Sequence, residues 1–279
     1  MENHVFAAVL LAAFLHAGWN SLVKVGLDRA TTMLLLTVGQ AAIALPLLPF
    51  VDQPDLAAWP WIVASAVLHV GYKLFLVRAY THADLSQAYP MARGTAPLIV
   101  TVVSALFLGA RFDALALAAV LAISAGILTL ALNRSGLGRM QGRALAYALG
   151  TACFTAAYTL VDGVGARVAE TASGYILWMF VGDAALMVLY ALVTRGDAAF
   201  SGLRASWKPG LGAGAMSVAS YWIIVWAFTQ VPIALVAGLR ESSILFATLI
   251  AAFVLREPVS RSRWASVGLI AAGVVLMKL

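Results

Sequence analysis

Apolar runs occupy residues 5–24, 32–51, 59–80, 85–109 and 114–132, and then 143–162, 173–194, 210–229, 232–255 and 261–278. Each is close to the roughly 20 residues that carry an α-helix across hydrocarbon. The fold class that follows is all-α, a polytopic membrane protein of ten transmembrane helices. Only 11% of the 279 residues are charged and 63% are hydrophobic, whereas about a quarter of an ordinary soluble domain is charged. Joins as short as "TQVP" at 229–232 make neighbouring helices antiparallel. They leave no length for a separate soluble domain.

The net charge of +6 sits in short loops, so it reads as a determinant of orientation and not as a nucleic-acid surface. Lys24, Arg29, Arg78, Arg134, Arg139, Arg143, Arg195, Arg204, Lys208, Arg256, Arg261 and Arg263 fall on one side. Arg111, Arg167 and Lys278 fall on the other. By the positive-inside rule the first set is cytoplasmic, and both termini face the non-cytoplasmic side. The expected location is a plasma (inner) membrane, bacterial. Glu2 and His4 precede the first run where a leader would carry basic residues, and Lys24 ends it, so it is expected to stay as a span. The single cysteine, Cys153, lies within a span and cannot close an intramolecular disulfide.

The two halves overlay in order. "LAAFLHAGWNSLVK" (11–24) matches "LGTACFTAAYTLVD" (149–162), and "LLLTVGQAAIALPL" (34–47) matches "LWMFVGDAALMVLY" (177–190), pairing Gln40 with Asp183. "RAYTHADLSQAYPMARGT" (78–95) matches "WAFTQVPIALVAGLRESS" (226–243), pairing Arg93 with Glu241 and leaving Arg240 opposite Ala92. Five spans is an odd number, so two copies in one chain insert in opposite senses. The expected organisation is residues 1–135 as one five-helix repeat and 140–279 as its inverted counterpart. In such architectures substrates bind near mid-membrane, where the repeats meet and helices are interrupted.

An ionisable side chain in a span is costly unless it faces protein or water, and so marks a functional candidate. Arg93 lies about 12 Å from the cytoplasmic end of its span and Arg240 about 12 Å from the outer end of its own, at about 1.5 Å per residue. Gln40 and Asp183 also fall near mid-depth, with Lys73 shallower. Lys73, Arg93 and Arg240 against Asp183 and Glu241 leave one positive charge over. A ligand with a carboxylate, phosphate or phosphonate would complete the set, because the guanidinium fork suits those groups. Trp19, Tyr89, Trp178 and Trp222 are candidate cavity walls and possible partners for an ammonium, with core packing as the alternative.

Glu241 is a candidate for proton coupling or for pairing with Arg93. His16, which shares a helix face with Asn20, is another coupling candidate, as is His69, which shares a face with Lys73; for both, a satisfied interhelical hydrogen bond is the favoured alternative. Lys24 and Asp162 occupy matching repeat positions near opposite membrane faces, as gates or as boundary charges. Pro90, Gly94 and Pro97 are expected either to interrupt the fourth span and line a cavity or merely to kink a packed membrane helix. The small residues of "GLGAG" (210–214) and "SVGLIAAG" (266–273) favour close helix packing. They serve either within a monomer or in a homodimer through the last span.

The ten spans in two repeats resemble the EamA-type branch of the drug/metabolite transporter superfamily. So do "HAGWNSLVK" closing the first span, Pro97 followed by "LFLGA" (106–110), and the counterpart "FVLRE" (253–257). A Gly-Glu pair often closes that span in the family; Glu257 fits, whereas Ala110 replaces it in the first repeat and Leu245 stands where a second proline would be. The resemblance implies a carrier of small metabolites, often an exporter of amino acids, working by alternating access with a coupling proton or an exchanged solute. No cofactor or metal is expected, and the partners are a small-molecule substrate and the lipid bilayer. A metabolite or ion channel is an alternative. An intramembrane phosphatidyl-alcohol transferase is a weaker one. "DGVGAR" (162–167) opens that enzyme's metal-binding signature, but Ile176 takes the place of its next glycine.

Overall fold

The computed structural model describes residues 1–22, 29–82, 85–132, 142–201, 203, 206–254, 256 and 259–279. Lys24 and Glu257 lie outside the described residues. Helices stand at all ten expected positions: α1 (Asn3–Leu22), α2 (Arg29–Leu47), α3 (Trp59–His82), α4 (Leu85–Phe107), α5 (Ala114–Leu132), α6 (Gly142–Val168), α7 (Ala172–Arg195) and α8 (Trp207–Gln230), then a ninth span in two pieces, α9 (Ile233–Arg240) and α10 (Ser243–Leu249), and finally α11 (Arg261–Leu276). Eight of the spans are long and apolar enough to cross a membrane. Among the described residues there is no strand.

The turns follow local chemistry. Asp113 accepts a hydrogen bond from the Ala116 amide at the start of α5, Thr171 accepts from Gly174 at the start of α7, and Ser260 accepts from Arg263 at the start of α11. Each satisfies an amide that the helix itself leaves free. The outward faces are apolar, with Phe50, Phe107 and Val193 exposed, while Lys73, Arg93, Asp162, Asp183, Arg240 and Glu241 are buried. This is the inverse of a soluble protein and suits a hydrocarbon solvent.

The packing obeys an exchange of the halves. α1 packs on α8 as α6 packs on α3, α2 on α8 as α7 on α3, and α4 on α6 as the broken span nine on α1. α2 meets its own counterpart α7, and α5 meets α11. The small residues serve these crossings. A Cβ on Gly39 would come 2.6 Å from the Gly210 carbonyl oxygen, and one on Gly214 2.6 Å from the Gly39 carbonyl carbon, so α2 and α8 touch backbone to backbone. On α11, Ser266, Ile270 and Gly273 face α5, with a Gly273 Cβ 2.8 Å from the Ala119 carbonyl oxygen. The stripe offered for a homodimer is thus used within the chain.

Two expectations are corrected. α4 runs unbroken through Pro90, Gly94 and Pro97. Each proline removes one bond of the ladder while the rest remain, and Gly94 is a packing position whose Cβ would meet Leu128 at 2.9 Å. The interruption lies in the repeat without the prolines, at Glu241–Ser242, with a π-helical stretch at Ile250–Val254 further on. The second correction concerns α6, which continues to Val168. Asp162, expected at the end of a span and near a membrane face, therefore lies one and a half turns inside and is fully buried.

The crossing of α2 and α8 sets an expectation. Gly214→Ala pushes a methyl into backbone that cannot yield and should cost about 1–3 kcal/mol. Gly212→Ala, where a Cβ meets nothing within 4 Å, should be neutral or stabilising by up to about 1 kcal/mol. Thermal unfolding in detergent measures both.

Candidate functional site

Glu241 follows the last residue of α9 and heads the turn into α10, where Ile244 N–H donates to its carbonyl oxygen at 3.0 Å. The break sets Arg240 and Glu241 side by side in the bundle interior. Arg93, from the middle of α4, comes in from the other repeat. Its Nε is 2.8 Å from Glu241 Oε2, and Arg240 Nε is 3.7 Å from Oε1. All three residues are buried. One carboxylate is thus shared by two guanidiniums, and this group retains one positive charge. Positions 93 and 241 match between the repeats, and symmetry-related residues touch only beside their axis. The pair therefore marks where the two halves meet.

Aromatic faces complete the surroundings. The Arg93 guanidinium stands 5.8 Å from the Tyr89 ring, and that of Arg240 stands 5.9 Å from both Tyr158 and Tyr221. Such contacts stabilise a cation taken out of water. Several polar atoms at this level have no hydrogen-bond partner among the described residues: Arg93 Nη2, the Ser242 hydroxyl and Trp19 Nε1. Trp19 packs edge-on against His16 with ring centroids 5.0 Å apart. His16 holds Asn20 through its carbonyl, at 2.9 Å.

The second cluster is a cross-link made twice. Lys73 of α3 donates to Asp183 of α7, and Gln40 of α2 donates to the Ser217 hydroxyl of α8 at 2.9 Å. The two helix pairs are counterparts and each tie joins the two repeats, one by a charged pair and the other by a neutral hydrogen bond. Both serve first as ties between helices. Trp178 turns toward the loop after α2, where its Nε1 donates to Gln53 Oε1 at 2.9 Å and its ring lies 5.1 Å from Trp59. Trp222 ties α8 to Ser173 of α7 at 3.0 Å. Neither tie involves the guanidiniums.

The third cluster surrounds Asp162. Tyr175 of α7 donates to Oδ1 at 2.9 Å, and Tyr221 of α8 donates to Oδ2. His69 of α3 places Nε2 4.0 Å from the same Oδ2 and stacks on Tyr158 at 4.1 Å. Sequence reasoning missed Tyr175 and Ser65 and gave Tyr158 and Tyr221 no particular role. Ser65, His69 and Lys73 at intervals of four residues do form a readable polar stripe on α3, as do Tyr158 and Asp162 on α6. The surplus charge expected from the sequence is also corrected. With Asp162 buried, Lys73, Arg93 and Arg240 are matched by Asp162, Asp183 and Glu241, so the excess is local to Glu241 and not a property of the bundle.

A pocket of about 450 Å³ lies above Asp162, lined by Ala166, Arg167, Glu170, Ala172, Ser173, Trp226 and Thr229. Arg167 closes its rim by donating to the Phe228 carbonyl from Nε at 3.0 Å and from Nη2 at 2.6 Å.

An apolar helical bundle with paired charges at its centre defines an integral membrane protein. The family model for the EamA-like transporter family matches twice, over residues 5–132 and 142–279. The chain belongs to that family and is a membrane transporter of the drug/metabolite transporter superfamily. A solved crystal structure shares the fold with a TM-score of 0.77 at 21% sequence identity, covering 99% of this chain and 96% of the other. No curated protein matches the sequence.

The twin cross-link yields a contrast. Asp183→Ala strands the Lys73 ammonium and should destabilise by about 3–5 kcal/mol, whereas Lys73→Met with Asp183→Leu should recover most of that loss. Ser217→Ala, at the neutral counterpart, should cost about 1 kcal/mol. Thermal unfolding in detergent should find Asp183→Ala well below the other two variants.

Proposed function

We propose that the protein is a secondary transporter of a small metabolite bearing an anionic group, with export as its direction. Residues 1–135 and 140–279 act as inverted repeats that exchange conformations around a shared central site. The observation that carries this reading is the convergence of Arg93 and Arg240, from corresponding spans, on the single carboxylate of Glu241. Glu241 acts as a built-in anion. A substrate carboxylate, phosphate or phosphonate takes over one or both forks, and the local positive charge favours that exchange. Tyr89, Tyr158 and Tyr221 supply faces against which an ammonium can also rest, which suits an amino acid or another zwitterion. The break at Glu241–Ser242 gives span nine a joint where α9 and α10 can change their angle, as alternating access requires.

In this reading the termini lie together outside a bacterial inner membrane. Lys278, which donates to Asn3 and stands 5.9 Å from the Phe6 ring, supports their sharing one side.

Thermal unfolding of the purified protein tests the site against amino acids, organic phosphates and phosphonates, with neutral amides as controls. A ligand present at about 100 times its Kd should stabilise the wild type by about 2.7 kcal/mol. Arg93→Lys and Arg240→Lys keep the charge and lose the fork, and should bind at least about tenfold more weakly, or about 1.4 kcal/mol. Equal stabilisation by neutral amides, or an undiminished response in both variants, would rule the site out.

A further inference from the structure

The geometry points to a binding site for one proton between Asp162 and His69, separate from the guanidinium pair and linked to it through Tyr221. Its role as the coupling ion rests on the transporter reading above; its existence does not.

Among the described residues, Asp162 is the buried carboxylate with no lysine or arginine at ion-pair distance, since Asp183 has Lys73 and Glu241 has Arg93 and Arg240. Its charge is held by the phenol O–H groups of Tyr175 and Tyr221. The His69 ring supplies the second half. Its Nδ1 is 3.0 Å from the Ser65 carbonyl oxygen. A carbonyl can only accept, so the neutral ring that satisfies it carries its proton on Nδ1, which also lies 3.2 Å from the Ser65 hydroxyl, and Nε2 then turns a bare lone pair toward Asp162. Nε2 and Oδ2 face each other across 4.0 Å. These are two acceptors with nothing shared between them. One added proton turns that opposition into a hydrogen bond, with the atoms closing by about 1 Å.

The proton would also be felt at the substrate site. Tyr221 donates to the same Oδ2 that faces Nε2, so a proton there competes with the phenol for that oxygen. The ring of Tyr221 in turn lies 5.9 Å from the Arg240 guanidinium, beside Glu241. The other groups around Asp162 and His69 are Tyr158 on α6, Ser65 and Lys73 from α3, and Arg240 from α9. Of these, Lys73 is already held by Asp183, and Arg240 faces Glu241. Ala166, one helical turn from Asp162, lines the pocket described above.

Proton uptake by the purified protein, followed with a pH-indicator dye as weakly buffered samples are taken from alkaline to mildly acid pH, tests the site without any substrate. Relative to wild type, Asp162→Asn and His69→Gln should each take up one proton fewer per chain. The double variant should lose no more than either single one, because the proton is shared. Asp162→Glu should restore uptake, and a tyrosine difference absorbance should accompany it in wild type and vanish in Tyr221→Phe. Circular dichroism checks that each variant is folded. If Asp162→Asn fails to fold, the His69→Gln and Asp162→Glu arms decide. Wild-type uptake in Asp162→Asn, a double variant that loses two protons, or uptake with no tyrosine signal would overturn the proposal. Because no transported solute takes part, these outcomes leave the substrate-site reading to its own test.

Discussion

One carboxylate shared by two guanidiniums, in a solvent that supplies no water to replace it, is the constraint on which the interior depends. Stranding any one of these charges in hydrocarbon or in dry protein costs several kcal/mol. The helices that carry them must therefore meet. Arg93 reaches Glu241 only if the fourth span and the broken ninth span lie beside the axis relating the repeats. Arg240 joins them beside the tightened turn at Glu241–Ser242, its Nε 3.7 Å from Glu241 Oε1. The aromatic faces of Tyr89, Tyr158 and Tyr221 then take the contacts that water would have made.

The halves are alike in path and unlike in chemistry. Repeat one puts two prolines in an unbroken α4, whereas repeat two has no proline there and breaks its helix. Gln40 with Ser217 answers Asp183 with Lys73. Close helix contacts are made by glycines in both halves, which leaves polar side chains free to diverge without moving the backbone. A transporter built from inverted copies needs its two packings close in energy.

Much of this was legible in the sequence, for identifiable reasons. Apolar runs near the bilayer's thickness placed ten helices. The rarity of charge within spans singled out Arg93, Arg240, Lys73, Asp183 and Glu241, and the overlay of the halves brought Arg93 against Glu241. The depth of Asp162 was not legible, because the Gly-Val-Gly-Ala that follows it resembles a turn as much as a helix. Gly163 and Gly165 are packing positions, under Ile233 and Tyr175. Pro90 and Pro97 misled in the opposite direction, since a long membrane helix keeps enough of its remaining bonds to carry them.

By itself the sequence determined the class, the number and order of the helices, the repeat, and the buried charges other than Asp162. Those properties follow from composition over windows about as long as the membrane is thick. The tertiary structure alone decided who partners whom: Lys73 with Asp183, Gln40 with Ser217, Tyr175 and Tyr221 with Asp162, and His69 turned toward that same carboxylate. Partners on different helices depend on the rotation and crossing of each helix, which are set by small-residue contacts such as Gly39 against Gly210. Spacing along one chain carries no record of them.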